Sequence, residues 1–172
     1  MIETDLIRNA RLGDRDAFVG LVSSHEKKLL ALCWNMLGER EEARDAAQET
    51  LLQAFENFSR FDPERSFVKW LLGIGAKRCL DRLRRRRSFQ RYFVDRAREW
   101  LRPAAAPEAN EGRAGRLLQK LSARERAVVS LSVFEDFSAR EIAAMLGCSE
   151  NTARVHLFNA RLKLKKEVAD GM

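Results

Sequence analysis

The chain is poor in the residues that punctuate or crosslink a fold. Its 172 residues include 3 prolines, 3 cysteines, 1 tyrosine and 2 histidines. Cys33, Cys79 and Cys148 lie far apart, with no Cys-x-x-Cys pair. A disulfide framework is therefore not expected, and the pattern suits reduced, buried thiols in a cytoplasmic protein. With only His25 and His156 available as partners, no zinc or other metal site is expected. The opening "MIETDLIRNARLGD" lacks the apolar stretch of a signal peptide. No apolar run approaches the length of a membrane span. Strand-like alternation is missing. Neither a glycine-rich phosphate loop nor a nucleophile–base pair stands out, so no catalytic residue, cofactor or enzymatic activity is expected.

What the chain has is positive charge on a helical frame. Lys and Arg number 32 against 25 acids, a net charge of +7. Residues 69–87 carry eight basic residues against one acid, and residues 154–166 carry five against none. Two separate basic patches suit two contacts with one long polyanion, either nucleic acid or an acidic membrane surface.

Apolar residues recur at helical spacing from Asp14 to Leu37, which predicts one helix stopped by Gly38. Glu39, Glu41 and Glu42 open the next, where acids favour the positive end of the helix dipole. Its buried stripe is expected at Ala43, Ala46, Ala47, Thr50, Leu51, Ala54, Phe55 and Phe58. Asp62-Pro63 marks a turn, and Ser66 is a candidate N-cap for a third helix to about Arg87. Residues 88–112 read as a tether. "RPAAAPEANEG" holds two prolines and no large apolar residue, and "SFQRYFVDRAREWL" before it reads as a helical extension or a docking strip. Beyond it, Ser122-x-x-Glu125 and Ser138-x-x-Glu141 are capping boxes. Gly147 ends a helix, and Ser149 caps a last one reaching about Glu167. The expected fold is all-α: two small helical domains, 1–87 and 113–172, joined by a flexible linker over 88–112.

On a helical wheel of residues 66–87, Val68, Leu72, Ala76, Cys79 and Leu83 share a core face. A second face carries Phe67, Trp70 and Ile74, then Arg78, Arg82 and Arg85, flanked by Lys77 and Arg84. Aromatics offer surfaces on which unstacked bases stack, and arginines track phosphates. The alternative is that Phe67 and Trp70 pack against the first two helices and that the arginines form a solvated face.

"SAREIAAMLGCSENTARVHLFNARLKLKK" has the pattern of a helix-turn-helix. Ile142, Ala143 and Leu146 anchor its first helix. Ala153, Leu157, Ala160 and Leu164 form the buried stripe of the second. Asn151, Arg154, Val155, Phe158 and Asn159 fall opposite, in the half that reads base edges in a major groove. Lys163, Lys165 and Lys166 suit backbone phosphate. The alternative is a plain helical hairpin.

These segments together resemble, over nearly the whole chain, the minimal bacterial RNA polymerase sigma factors of the extracytoplasmic-function class. That class has sigma domain two, a linker and sigma domain four. "GDRDAF" (13–18) looks like the start of domain two, and "EEARDAAQETLLQAF" (41–55) is similar to the helix that docks on the polymerase. "SFVKWLLGIGAKRCLDRLRRRR" (66–87) is similar to the helix that melts and reads the minus-10 element. "LLQKLSARERAVVSL" with the helix-turn-helix is similar to domain four.

The resemblance implies that Asp45, Gln48, Glu49, Leu52 and Gln53 bind core polymerase at the clamp helices of its largest subunit, and that the flap is a further contact. It implies that the loop at 60–66 captures a flipped base. Phe61, Asp62, Ser66, Phe67, Lys69, Trp70, Lys77, Arg78 and Arg82 would handle the minus-10 DNA. Asn151, Thr152, Arg154, Val155, His156, Phe158, Asn159 and Lys163 would handle the minus-35 DNA. An anti-sigma factor is a further partner known in the class. The chain departs from the class pattern at Ala76-Lys77, where Arg-Asn is usual. It also departs at Val155, where Ser is usual, and at His156 and Asn159, where arginines are usual.

The implied function is promoter-specific transcription initiation. The rival is a stand-alone helix-turn-helix regulator, which would need a ligand or dimerisation domain that 1–87 does not signal. A DNA recombinase would need a nucleophile on an α/β scaffold. A tether of about 25 residues reaches about 80 Å when extended, enough for two promoter boxes roughly 50–60 Å apart.

Overall fold

The computed structural model describes residues 2–97, 112–133 and 137–170, with side chains as far as Phe89 in the first stretch and Ala169 in the last. Its elements are helices: α1 (Glu3–Arg11), α2 (Arg15–Ser23), α3 (Glu26–Leu37), α4 (Arg40–Glu56), a 3-10 turn (Phe58–Arg60), α5 (Phe67–Ala97), α6 (Arg113–Gln119), α7 (Ala123–Ser132), α8 (Ala139–Leu146) and α9 (Glu150–Asp170).

The first module is built on α3, α4 and α5, which pack on one another. Leu29, Leu32, Cys33 and Met36 from α3 meet Leu71, Leu72, Ala76 and Cys79 from α5, all fully buried. The α4 contribution is small-residue: Ala43, Ala46, Ala54 and Thr50. Short side chains let the axes approach, and Thr50 satisfies its hydroxyl by donating to Ala46 O at 2.7 Å. Gly75 marks a close approach of α5 to α3, because a Cβ there would lie 2.6 Å from Leu29 Cδ1. The Cys79 thiol meets Cys33, and that hydrogen bond together with burial pushes its pKa far up. Such a thiol is inert packing, as the sequence suggests.

Two expectations are corrected here. The segment from Asp14 to Leu37 is two helices, α2 and α3, with the break at Ser24–His25. Ser23 Oγ donates back to Val19 O at 2.7 Å, and His25 leaves helical geometry at φ −122°. The break lets α2 turn onto α1, where Ile7 and Ala10 are buried, while α3 enters the core. The apolar spacing survives such a break, so periodicity alone does not reveal it. The second concerns the start of the tether, where of the two readings, helical extension or docking strip, the first holds and α5 outruns its expected end near Arg87. Residues 88–97 continue α5 as helix, because they contain no Gly or Pro to stop it. Residues 98–111 lie outside the described residues.

In the C-terminal part both capping boxes form. Ser122 Oγ accepts from Glu125 N at 3.3 Å and Ser138 Oγ from Glu141 N at 3.2 Å, and each glutamate reaches back to its cap N–H. Gly147 turns the chain at φ 65°, and Ile142 and Leu146 of α8 and Ala153 and Ala160 of α9 are buried where these helices pack on one another and on α7. This helical unit does not float free of the first: α7 lies on α3, and α8 lies on α5.

Candidate nucleic-acid and partner interfaces

The polar face of α4 divides into two edges. Asp45, Gln48 and Leu52 point to solvent, with Leu52 64 % exposed. Glu49 and Gln53 instead turn toward α5. Glu49 Oε2 accepts from Arg78 Nη1 at 3.0 Å and Glu49 Oε1 from Arg82 Nη2 at 2.7 Å, while Gln53 Oε1 accepts from Arg78 Nη2 at 2.6 Å. Arg86 and Glu42 continue the seam at 3.5 Å. This corrects the sequence reading twice. The arginine row at Arg78 and Arg82 is not an open phosphate track, and Glu49 and Gln53 are engaged by it. The α4 acids and the α5 arginines they pair with lie 29 or more residues apart in sequence, so a wheel drawn for each helix alone leaves both sets exposed.

The aromatics before the basic stretch form a packed cluster. Phe58 stacks on Phe61 at 5.5 Å between centroids, Phe67 meets both edge-on, and Trp70 leans on Phe61 at 5.0 Å. Phe61 and Phe67 are buried, so neither offers a face to a base. The packing alternative therefore holds for Phe67, and Phe61 is packed in the same way. Trp70 keeps part of its surface exposed. Each such aromatic pair is worth about 0.5–1.5 kcal/mol beyond its burial, so the cluster is a rigid floor for the loop above it. In that loop Asp62 accepts from Glu64 N at 3.1 Å and pairs with Arg65 at 3.4 Å, and Arg65 N returns to Asp62 O at 3.0 Å. This is a β-turn with Pro63 at its favoured second position. Ser66, the expected cap of α5, is exposed and accepts from Lys69 N at 3.4 Å.

Lys77 is exposed beside this floor, whereas the Lys69 ammonium is bonded to the Glu141 carboxylate of α8, under the Phe137 ring. That bond, with the Ser138 cap, holds the Glu141 carboxyl down at about 2.

On α9 the expected division is present. Ala153 and Ala160 are buried, Leu157 and Leu164 are half-buried, and Asn151, Arg154, Val155 and Phe158 are exposed, Phe158 by 62 %. Thr152, His156 and Asn159 are half-buried. Arg154 is oriented by Glu150, whose Oε1 accepts from Nη2 at 2.6 Å and Nε at 3.1 Å. Lys163 corrects its assignment: its Nζ donates to both oxygens of the buried Glu125, at 2.9 and 2.8 Å. Burial raises the Glu125 carboxyl, but Lys163 and the Ser122 cap outweigh it and the net shift is downward.

Two features escaped the sequence reading. Leu162 is exposed and extends the apolar line of Val155 and Phe158 by one turn. An apolar groove between α2 and α4, lined by Phe18, Val19, Val22, Leu51, Leu52 and Phe55, runs beside the Asp45–Gln48–Leu52 edge. Val19 sits on the outer side of a helix whose neighbours Phe18, Leu21 and Val22 are core, so its exposure shows only once α2 is placed. Among the described residues, no group of three or more His, Cys, Asp or Glu could hold a metal ion, and no helix is long and apolar enough to cross a membrane.

An all-helical chain with a basic helix over an aromatic floor and a C-terminal helix-turn-helix is a nucleic-acid-binding protein of the transcription class. The model for sigma-70 region 2 matches residues 21–89, and that for sigma-70 region 4 matches residues 112–164. The chain is 30 % identical to the RNA polymerase sigma factor CarQ of Myxococcus xanthus, covering 91 % of each protein. It is 28 % identical to the ECF RNA polymerase sigma factor SigW of Bacillus subtilis, covering 95 % of each. Among solved structures it is similar to CnrH in complex with the cytosolic domain of CnrY, with a TM-score of 0.74, 26 % identity and 99 % of each chain covered. It shares the fold of the sigma factor RpoE in complex with the anti-sigma factor NepR from Bartonella quintana, with a TM-score of 0.69, 22 % identity, and 88 % of this chain and 96 % of that one covered. The chain belongs to the sigma-70 family of RNA polymerase sigma factors, in its extracytoplasmic-function class, and directs transcription initiation.

Proposed function

We propose that the chain divides its work among three surfaces: α4 for core polymerase, the start of α5 for the minus-10 element and α9 for the minus-35 element. The observation that carries this reading is the exposed edge Asp45–Gln48–Leu52 beside an apolar groove. An acid and an amide flanking an exposed leucine suit a protein partner rather than a phosphate backbone, so one face of this basic chain is set aside for the polymerase. Leu52, Val19 and Phe55 supply the apolar anchor and Asp45 and Gln48 the rim.

The DNA roles follow the revised geometry. Asp62, Ser66, Trp70 and Lys77 meet the opened strand. Phe61 and Phe67 hold that loop from beneath. Arg78 and Arg82 fix α5 against α4 through Glu49. On α9, Arg154 suits the O6 and N7 of guanine, Asn159 the N6 and N7 of adenine, and Val155 and Phe158 thymine methyls. Lys165 and Lys166 take backbone phosphate. No bond chemistry is assigned to the chain, which acts by binding inside the cytoplasm, where core polymerase works. A protein inhibitor, as NepR is for RpoE, is a further partner expected on this reading.

A gel shift with and without core polymerase tests it against the stand-alone regulator. Sequence-specific binding that requires polymerase supports the sigma role, and equally specific binding by the chain alone contradicts it.

A further inference from the structure

One flank of α5 neutralises its arginines and the other does not. Toward α4, Arg78 and Arg82 are held by Glu49, and Arg86 lies 3.5 Å from Glu42. Toward the C-terminal unit, Lys77, Arg84 and Arg87 line an open cleft of about 540 Å³, to which α7 contributes Arg124 and α9 contributes His156. Asp81 is the one acid of that lining, and it is already engaged by Arg84 at 3.0 Å. The side chains of Lys77, Arg87 and Arg124 are exposed, and among the described residues they make no hydrogen bond or ion pair. We propose that this cleft is a binding site for a small ligand that carries a chain of phosphates, as an inorganic polyphosphate or as a nucleoside polyphosphate.

The charge of the lining points to the ligand class. Four fixed cations against one carboxylate leave a surplus of three positive charges, with His156 counted neutral. Cations gathered from two units around one cleft repel one another and focus their field into the space between them. A multivalent anion placed there meets both sides at once, whereas a monovalent ion satisfies one. Arg87 and Arg124 bring a planar guanidinium from each unit, the group that grips phosphate oxygens two at a time.

Shape and packing agree. The volume falls within the range of small-molecule sites. A DNA duplex is too broad to enter such a cleft, so its cations are reached together only by a small ligand. The half-buried Leu80 and the buried Leu146 add an apolar part to the lining, which a nucleoside would cover and an inorganic chain would not. The walls are held in place from outside the cleft. Met145 of α8 sits on Gly73 of α5, with its Cγ 3.4 Å from where a Cβ would stand, and the buried Arg126 of α7 donates through Nη1 to Met36 O of α3 at 2.5 Å. The site therefore needs no rearrangement to admit a ligand.

Isothermal titration calorimetry of the full chain with inorganic tripolyphosphate, and separately with GTP, tests this at roughly physiological salt, where charges beyond about 8 Å are screened. Lys77 and His156 are shared with the DNA surfaces proposed above, so the variants avoid both. Saturable one-to-one binding is expected. Tighter binding of GTP brings Leu80 and Leu146 into the site, and equal binding assigns it to the phosphate chain alone. Arg87→Glu and Arg124→Glu should each weaken binding by about tenfold or more with unchanged Tm. Lys165→Glu, in the other basic patch, should change it by less than about twofold. Asp81→Asn should tighten binding several-fold, a gain that a damaged fold does not give. Absence of saturable binding by either ligand, or an equal loss in Lys165→Glu, overturns the site. Duplex DNA binding that falls in Arg124→Glu, while neither small ligand binds, would assign these cations to the DNA backbone and overturn it as well.

Discussion

Glu49 holds two arginines at once, with Oε2 3.0 Å from Arg78 Nη1 and Oε1 2.7 Å from Arg82 Nη2. One carboxylate thereby ties α4, the helix proposed to dock on the polymerase, to α5, the helix proposed to meet the promoter. Glu49 therefore belongs to the fold more than to the docking edge, and Asp45 beside it does not. The two acids, alike in sequence context, should fail differently. Glu49→Lys is expected to lower stability by about 1–2 kcal/mol, since half-exposed pairs are worth up to about 1 kcal/mol each. That is a Tm drop of about 5 °C or more in a domain of this size. Asp45→Lys should leave Tm unchanged and reduce co-purification with core polymerase. Thermal melts beside pull-downs of the two single variants decide it.

Strand opening should separate the exposed residues of the α5 start from the buried ones. Trp70→Ala and Lys77→Ala are expected to slow opening on duplex promoters and to recover on pre-melted templates. Arg78→Ala and Phe67→Ala should act through stability, with Phe67→Ala costing about 3–5 kcal/mol as a core deletion. Permanganate footprinting on both templates, with a melt for each variant, tests the division. A Phe67→Ala protein with normal Tm and failed opening would return that residue to the DNA.

Box readout is expected to reside in Arg154 and not in the lysines that follow. Arg154→Ala should relax the choice at one base pair of the minus-35 box by about 1–3 kcal/mol. Lys165→Ala should weaken all sequences evenly and flatten the salt dependence. A promoter library selected with each protein is the test. Glu150→Gln should shift the same base pair as Arg154→Ala, because Glu150 orients that guanidinium.

The long helices, caps and turns were legible because they depend on residues close in sequence, whereas α1, α6 and the α2–α3 break were not read. Ser122, Ser138, Gly38 and Gly147 signal their roles locally, as do the stripe of α9 and the alanines of α4, whereas Phe55, expected in the α4 stripe, is exposed. Contacts between helices were not legible. Periodicity gives the angle at which Arg78, Arg82 or Lys163 leaves its helix, not what stands opposite. Each of these cations turned out to face a carboxylate distant in the chain. Phe67 failed for the same reason, since a wheel places an aromatic on a face and only tertiary packing shows that the face is covered, and Phe61, assigned to DNA through the resemblance alone, is covered by the same cluster. Arg126, buried against Met36 O, gave no local sign at all.

Acid should destabilise the first module through His25. Burial lowers its pKa below the ordinary 6.5, helped by Lys28 and opposed by Glu3. Both ring nitrogens are buried without a hydrogen-bond partner, and the ring packs on Phe67 at 5.6 Å. The folded state therefore holds fewer protons than the unfolded one. The stability is fully present above pH 6.5 and declines as pH falls toward the lowered value. Wild-type Tm is expected to drop between pH 7.5 and 5.5 by more than that of His25→Leu.

The account stands most directly on reconstituted transcription. Core polymerase, the purified chain and a randomised promoter library are combined, and transcript 5′ ends are mapped. The expected result is initiation at discrete start sites sharing two upstream boxes, only when both proteins are present, and lost with a Leu52→Asp, Asp45→Lys variant that still folds. Start sites identical with and without the chain, or undiminished initiation by that variant, would contradict it.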